Sequence, residues 1–416
     1  MIEDNTESLF VPTFVARQPI FDAKQNIWGY ELFYRHSSEA TAAIFTDEES
    51  ATLAVAACAS CQQMDYALNS KILVNFTEKS IVSNVPLALP ANVTVLEIDE
   101  QSIANPAFLE SLERLKHAGY HIAVDKFEGR KENMPLLALA DLLKIDTLGK
   151  SDEQLLAAIK LAQSVKLPTV ATRIEHFERY KAIKKLGFTY FQGFFFQKPE
   201  MVEGRKLAPT EIARLNLFKL IESEDPDFDK LTSAVQSDVA ISYSLLSYLN
   251  SPAFGLRQKV QSIKHALVLL GWKNVKSWLR VAILADMNPK GKSSELPYHS
   301  IQRGRFFQLA AVSANYSRYA PESLFLLGLF SLLSAMLSLP MEKVVANLPL
   351  DNEFKDALCG RDNALRPWLD TAIAFETANW DGLEILLGQL GLDPVNTAQA
   401  YYESIAWASR FYQKKG

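Results

Sequence analysis

The stretch His121-Ile122-Ala123-Val124-Asp125-Lys126-Phe127-Glu128-Gly129 decides the fold. A short apolar run closes on an acidic residue and passes into a glycine-marked turn, the pattern of a strand ending at a loop. The same construction recurs in Gly29-Tyr30-Glu31-Leu32, Leu73-Val74-Asn75-Phe76 and Val95-Leu96-Glu97-Ile98. In a parallel α/β barrel the strands end on one face, so oxygen ligands from separate strands converge there on a hard cation or a phosphate. Lys126 adds an ammonium beside those acids.

Outward from this stretch, the first half alternates strands with amphipathic helices. Strands are expected at Thr13–Ala16, Trp28–Leu32, Ile72–Asn75, Val93–Glu97, His121–Asp125, Leu142–Ile145, Thr169–Ala171 and Tyr190–Phe191. Helices are expected at 105–117, where Phe108, Leu109, Leu112 and Leu115 recur with helical spacing, and at 152–164, through Leu155, Leu156, Ile159 and Leu161. Strand and helix repeated in one direction mean a parallel sheet, and eight strands favour a closed TIM-like (β/α) barrel.

A polar, proline-punctuated stretch from Gln197 to Pro209 ends the pattern, and only helical periodicities follow. The expected organisation is α/β plus all-α, with a barrel over residues 1–203 and a helical domain over 204–416. Helices are expected at 210–221, 228–235, 239–249, 263–270, 274–284, 299–319, 324–339, 341–348 and 352–358, with Gly271 as one of the breaks.

The chain has 416 residues, enough for two cores. With 48% hydrophobic residues and a formal charge of −5, it has no general drive toward nucleic acid or anionic membrane. The acidic start lacks the pattern of a secretion signal, and the apolar run Leu324–Leu339 is too short and too often interrupted by serine for a membrane span. It reads as a buried helix, and the protein as cytoplasmic. Three cysteines fit a reducing compartment, with the Cys58 and Cys61 pair read as packing within a helix over 50–63. Lys273, Lys276, Arg280, Arg303 and Arg305 read as solvated helix faces, against nucleic-acid binding.

The polar positions at strand ends are Gln18, Glu31, Arg35, Asn75, Glu97, Asp125, Lys144, Glu175 and Gln192. Several acids with an Asn and a Lys are better explained by a site than by capping. With their surroundings, Arg17-Gln18-Pro19-Ile20, Tyr30-Glu31-Leu32, Val74-Asn75, Leu96-Glu97-Ile98, Val124-Asp125, Leu143-Lys144-Ile145-Asp146 and Phe191-Gln192-Gly193-Phe194-Phe195-Phe196 resemble the EAL domain, the cyclic di-GMP phosphodiesterase barrel.

The resemblance implies that Glu31, Asn75, Glu97 and Asp125 match the ligands of one metal, and that Lys144 matches the lysine that helps hold the attacking water. Gln18, Arg35, Lys126, Glu175 and Gln192 join Lys144 as expected ligand-binding residues. Two departures concern the second metal site of active members. An Asp there is Lys126 here, and the first Glu of an Ala-Glu-Gly-Val-Glu motif is Thr172 in Ala171-Thr172-Arg173-Ile174-Glu175. The following glycine-rich segment is altered to Phe127-Glu128-Gly129-Arg130.

Two-metal hydrolysis needs cations that stabilise the attacking and leaving oxygens together. The expectation is therefore a nucleotide sensor or scaffold with at most one cation, Mg2+, Mn2+ or Ca2+, and none as the other state. A slow phosphodiesterase and a scaffold without small ligand are the alternatives. Lys126 either meets a phosphate as a point charge or folds onto Asp125 or Glu97 and seals the site.

In the second half, the run Asp238–Phe254 and Ile263–Trp272 resemble the HDOD domain, a helical relative of the HD phosphohydrolases. Those hydrolases carry a His-Asp pair where this chain has Gly328-Leu329-Phe330-Ser331-Leu332-Leu333. His265 and His299 are the only histidines of this half, and His265 reads as a packing residue. The expected role is contact with a downstream signalling protein. The order of the two domains resembles the YuxH-type bacterial signalling proteins, and the resemblance of the barrel to active EAL domains, which are often dimers, makes a homodimer one of the expected assemblies.

Overall fold

The computed structural model describes residues 13–36, 70–102, 106–130, 134–198, 209–223, 227–236, 263–286, 295–346, 348 and 350–409. The chain divides into two compact units, one of Met1–Phe196 with Leu309–Tyr316 and Asp370–Gly416, the other of Gln197–Gln308 with Ser317–Leu369. The expected boundary at 203–204 falls outside the described residues, as do Cys58, Cys61, the helices expected at 50–63 and 239–249, and the motif Asp238–Phe254.

The first unit contains a closed barrel of eight strands in sequence order. They are β1 (Thr13–Asp22), β2 (Ile27–His36), β3 (Lys71–Asn75), β4 (Thr94–Asp99), β5 (His121–Asp125), β6 (Leu142–Asp146), β7 (Thr169–Thr172) and β8 (Tyr190–Gln192). All eight expected strands are present, but the direction expected of the first is corrected. β1 runs antiparallel to both β2 and β8, and the remaining pairs are parallel.

The cause is local. Only residues 23–26 join β1 to β2, and a parallel return needs a crossover of a dozen or more residues. Asp22 fixes the turn: its carboxylate accepts the backbone N–H groups of Lys24 and Asn26 at 2.7 and 2.9 Å.

Helices α1 (Glu78–Val82), α2 (Pro106–His117), α3 (Met134–Leu139), α4 (Asp152–Ser164) and α5 (Phe177–Leu186) alternate with the strands. α4 starts at a capping box between Ser151 and Gln154 and buries Leu155, Ile159 and Ala162, while Leu156, expected on the same face, is exposed.

Side chains alternate in and out along a strand, and the barrel interior is filled in layers. Ile20, Leu73, Val95, Ala123, Leu142 and Val170, one from each of six strands, form an apolar layer on which Trp28 and Tyr190 pack. Those two rings stack with centroids 4.4 Å apart. The layer above is therefore reached by moving two residues along each strand.

In the second unit, α6 (Pro209–Glu222), α7 (Phe228–Gln236) and α8 (Ile263–Asp286) precede α9 (Glu295–Ser313), which runs out of it. α8 is two helical stretches meeting at Gly271, whose φ of +73° breaks the ladder, as its place in the sequence predicts. The expected helix over 324–339 is instead α10 (Pro321–Phe330) and α11 (Leu333–Leu337), both apolar and buried. Among the described residues no helix is long and apolar enough to cross a membrane.

The reading of the basic residues as solvated is corrected for Arg280 and Arg303, each 5% exposed. Arg280 makes a bidentate pair with Glu222 at 2.6 Å through Nε and Nη2. Lys276 adds a third contact to Glu222 at 3.1 Å, so one carboxylate ties α6 to two cations of α8.

Candidate functional site

Two residues above the apolar layer lie Asn75, Glu97, Asp125, Lys144 and Thr172, from β3 to β7. β1 runs the other way, so the step from Ile20 is to Gln18, which pairs in register with Glu31 of β2. The expected position at strand ends is corrected by this arithmetic. Asn75, Asp125 and Gln192 do end their strands, but Gln18, Glu31, Glu97 and Lys144 lie inside theirs. They meet because they share the interior layer nearest the C-terminal face of the parallel strands.

Lys144 is the hub. Its ammonium donates to Glu31 Oε2 at 2.8 Å and, through a shorter contact, to Glu97 Oε1, and lies 3.7 Å from Asp125 Oδ1. The lysine side chain is 3% exposed, and those of Glu31 and Glu97 are 6% and 0% exposed. Gln192 Nε2 donates to Glu31 Oε2 at 2.6 Å and to Gln18 Oε1 at 2.9 Å, and Asn75 Nδ2 donates to Glu31 Oε1 at 3.3 Å. Six of the expected residues are thereby joined around Glu31 and Lys144, with Asp125 at their edge.

The electrostatics follow from this arrangement. Burial alone would lower the pKa of Lys144, but the charges of Glu31, Glu97 and Asp125 raise it, so it remains an ammonium. Burial opposes ionisation of Glu31, yet Lys144 with the hydrogen bonds from Gln192 and Asn75 holds that carboxyl below its ordinary range. Burial and then the charge of Glu31 push Glu97 well above the ordinary range.

Among the described residues no three His, Cys, Asp or Glu side chains stand in an arrangement that could hold a metal ion, and Lys144 pairs with Glu31 and Glu97. Glu31, Asn75, Glu97 and Asp125 nevertheless present oxygen donors of the type a hard divalent cation takes. Glu97 Oε2 and Gln192 Oε1 are buried without a hydrogen-bond partner, a costly state that an added ligand would relieve.

The remaining expected residues lie apart. Lys126 does not fold onto Asp125 or Glu97; its ammonium is 2.6 Å from Asp99 Oδ2 and its side chain is 61% exposed. The internal salt bridge expected of it is made by Lys144. Glu175 stays at the surface, 53% exposed, with His176 at 4.0 Å. Arg35 belongs to β2, but its side chain lies outside the described residues. Thr172 is buried, its hydroxyl 3.4 Å from the Ile145 carbonyl.

Glu100 was not among the expected residues. Fully buried, it accepts the backbone N–H groups of Glu128, Gly129 and Arg130 at 2.6, 3.0 and 2.9 Å, so it shapes the altered loop after Asp125. Its signal was an acid immediately after β4, in Leu96-Glu97-Ile98-Asp99-Glu100. A second anchor is Gly193: a Cβ there would lie 2.1 Å from the Ile174 carbonyl oxygen, so only glycine lets β8 approach the loop after β7.

In the second unit, Ser331 lies in the stretch Gly328–Leu333. Arg303 donates to its hydroxyl at 3.1 Å and to Gln197 Oε1 at 2.8 Å. His299 Nε2 lies 3.3 Å from Glu295 Oε2, with both side chains buried. The side chain of His265 lies outside the described residues.

A barrel with this interior layer, followed by a helical unit, defines a two-domain class: the EAL domain family model matches residues 14–199, and the HDOD domain family model matches residues 208–346. The chain belongs to the family of proteins that carry an EAL domain followed by an HDOD domain. It is 31% identical over 406 residues to the cyclic di-GMP phosphodiesterase CdgJ of Vibrio cholerae, covering 97% of this chain and 94% of that protein. It is likewise 31% identical over 410 residues to the uncharacterized protein YuxH of Bacillus subtilis, covering 97% of this chain and 99% of that protein. Among solved structures, the manganese and cyclic di-GMP complex of BlrP1 from Klebsiella pneumoniae is 19% identical, covering 44% of this chain and 55% of that one, with a TM-score of 0.38.

Proposed function

We propose that this protein is a cyclic di-GMP signalling protein whose barrel takes up the nucleotide with little or no turnover and whose helical half relays the state to a downstream protein. The observation that carries the reading is the split between the two metal sites of the EAL resemblance. The Glu31, Asn75, Glu97 and Asp125 set is gathered in one interior layer, whereas the positions matching the other site hold Lys126 and Thr172.

A single divalent cation, Mg2+, Mn2+ or Ca2+, would be held by Glu31, Asn75, Glu97 and Asp125, and when bound it supplies positive charge to a phosphodiester. This chain's own residues position that charge. Lys144 balances the carboxylates, Gln192 and Gln18 orient Glu31, and Glu100 holds the adjoining loop. With one anionic set missing, attacking and leaving oxygens lack the shared stabilisation that two-metal hydrolysis uses.

Calorimetric titration with cyclic di-GMP, with magnesium present and then with a chelator, tests the reading while chromatography follows product. Binding without product is expected. Hydrolysis by the pure protein that Glu31→Ala abolishes would overturn the low-turnover part.

A second reading, a slow phosphodiesterase, is favoured by the 31% identity to CdgJ over nearly the whole chain together with the retained Lys144 cluster. Under it the double substitution Lys126→Asp with Thr172→Glu raises turnover above a measurable wild-type rate. No turnover in either protein removes its support.

A further inference from the structure

The rim of the barrel repeats one construction two strands apart. Asp99 of β4 and Asp125 of β5 are register partners, as are Asp146 of β6 and Thr172 of β7. In each case the next residue turns into the left-handed region: Lys126 has φ 53° and Arg173 has φ 59°. In each case the residue before the turn accepts a neighbouring amide, Glu100 N–H to the Asp125 carbonyl at 2.9 Å and Thr147 N–H to the Thr172 carbonyl at 3.2 Å. The residue after the turn donates to the next strand, Phe127 N–H to the Lys144 carbonyl at 2.9 Å and Ile174 N–H to the Gln192 carbonyl at 3.1 Å.

The two bases are held alike as well. Lys126 pairs with Asp99 at 2.6 Å, and Arg173 pairs with Asp146 Oδ2 at 3.1 Å, the basic side chains being 61% and 56% exposed. Left-handed backbone is costly for side chains such as Lys and Arg, and both stand where a flat continuation of the strand would not place them. The strands that carry them are two spacings apart, about 10 Å, with β6 between them. Half-exposed ion pairs are weak in water, so each Asp orients its base while leaving it open to an incoming anion.

We infer that Lys126 and Arg173 form a metal-independent phosphate clamp on the rim of the barrel, Lys126 as a point charge and Arg173 as a two-pronged donor. This deepens, and rests on, the reading of the barrel as a cyclic di-GMP module. It assigns nucleotide retention in the absence of a cation to two residues that stand at or beside the positions of the missing carboxylates.

The test uses the full chain in chelator with two probes, inorganic pyrophosphate and cyclic di-GMP, and compares wild type with Lys126→Ala, Arg173→Ala and the double variant. Each single variant is expected to weaken binding about tenfold, about 1.4 kcal/mol, and the double variant more, with thermal unfolding only slightly lowered because each base makes one half-exposed ion pair. Variants that bind cyclic di-GMP like the wild type overturn the clamp and leave the nucleotide reading standing. Pyrophosphate bound by wild type and lost in the variants, with no cyclic di-GMP binding at all, supports the clamp and overturns the nucleotide reading. Failure of the wild type to bind either probe in chelator overturns the clamp.

Discussion

Replacing Lys144 by Met keeps most of the side-chain volume and removes the one ammonium that three carboxylates face. At an effective dielectric of about 20, an ammonium 2.8 to 3.7 Å from a carboxylate gains about 4–6 kcal/mol per pair. Taking those ions out of water costs several kcal/mol each, and deleting one partner of such a buried cluster leaves a net loss of about 3–5 kcal/mol. For a unit of this size the expected fall in melting temperature is roughly 10 °C.

The deficit has a defined pH dependence. Without the ammonium, the buried Glu31 and Glu97 have folded-state pKa values above their unfolded ones. Their contribution to stability is then fully present below the unfolded carboxylate range and lost as pH rises through the raised values. The variant should therefore be weakest at neutral pH and recover toward wild type on acidification. Divalent cation should stabilise it more than it stabilises wild type, because the competing charge has gone. Scanning calorimetry across pH, with and without magnesium, reads all three effects. A variant as stable as wild type at neutral pH, or one whose deficit grows on acidification, would refute the placement of Lys144 as the counter-ion of this layer.

Substituting Glu100 by Gln should cost about 2 kcal/mol by weakening three charge-assisted bonds to the 128–130 amides. Hydrogen exchange at those amides should rise roughly 30-fold if the loop opens locally, and unchanged exchange would show that the loop holds itself. Gly328→Ala puts a Cβ 2.4 Å from the Gly304 amide nitrogen and 2.7 Å from the Arg303 carbonyl oxygen, so α10 must move away from α9. A loss of about 1–3 kcal/mol in denaturant unfolding is expected, and a neutral outcome would mean that this crossing is loose. Burial raises the Asp99 pKa, but the hydrogen bonds from Lys126 and from the Gln101 backbone N–H, with the charge of Lys126, bring it below its ordinary value. The pair therefore stabilises above the unfolded Asp range and fades as pH falls through the depressed value. Lys126→Met should move the Asp99 carboxyl midpoint, followed by carbon NMR, back upward; no movement would place the lysine elsewhere in solution.

How much was legible in the chain depends on which physical rule each feature obeys. Val95-Leu96-Glu97 and Leu142-Leu143-Lys144 carry their message in a period of two: an apolar inward residue and, two positions on, a polar one in the next layer. Repeated on several strands, that period brings Asn75, Glu97, Asp125 and Lys144 to one layer; the letters offered them with Glu31 only as polar strand ends beside Arg35 and Glu175, and the resemblance to the EAL domain singled them out. The reversed first strand was only partly present in the letters: the eleven residues between the strands expected at Thr13–Ala16 and Trp28–Leu32 are already short for a parallel crossover, and the structure leaves four. Repetition of the strand-and-helix pattern elsewhere outweighed that local limit.

What the letters do not carry is the partner of a long charged side chain. Lys126 and Lys144 are both lysines at or near the end of a strand, yet one is 61% exposed and the other 3% exposed. The difference arises from backbone geometry. Lys144 lies inside β6 with its side chain on the inward face, whereas the left-handed turn at Lys126 carries its side chain out of the alternation and toward Asp99. Arg173 turns in the same way toward Asp146. A charge added next to Asp125 thus leaves the hydrogen bonds of the interior layer intact and changes the rim alone.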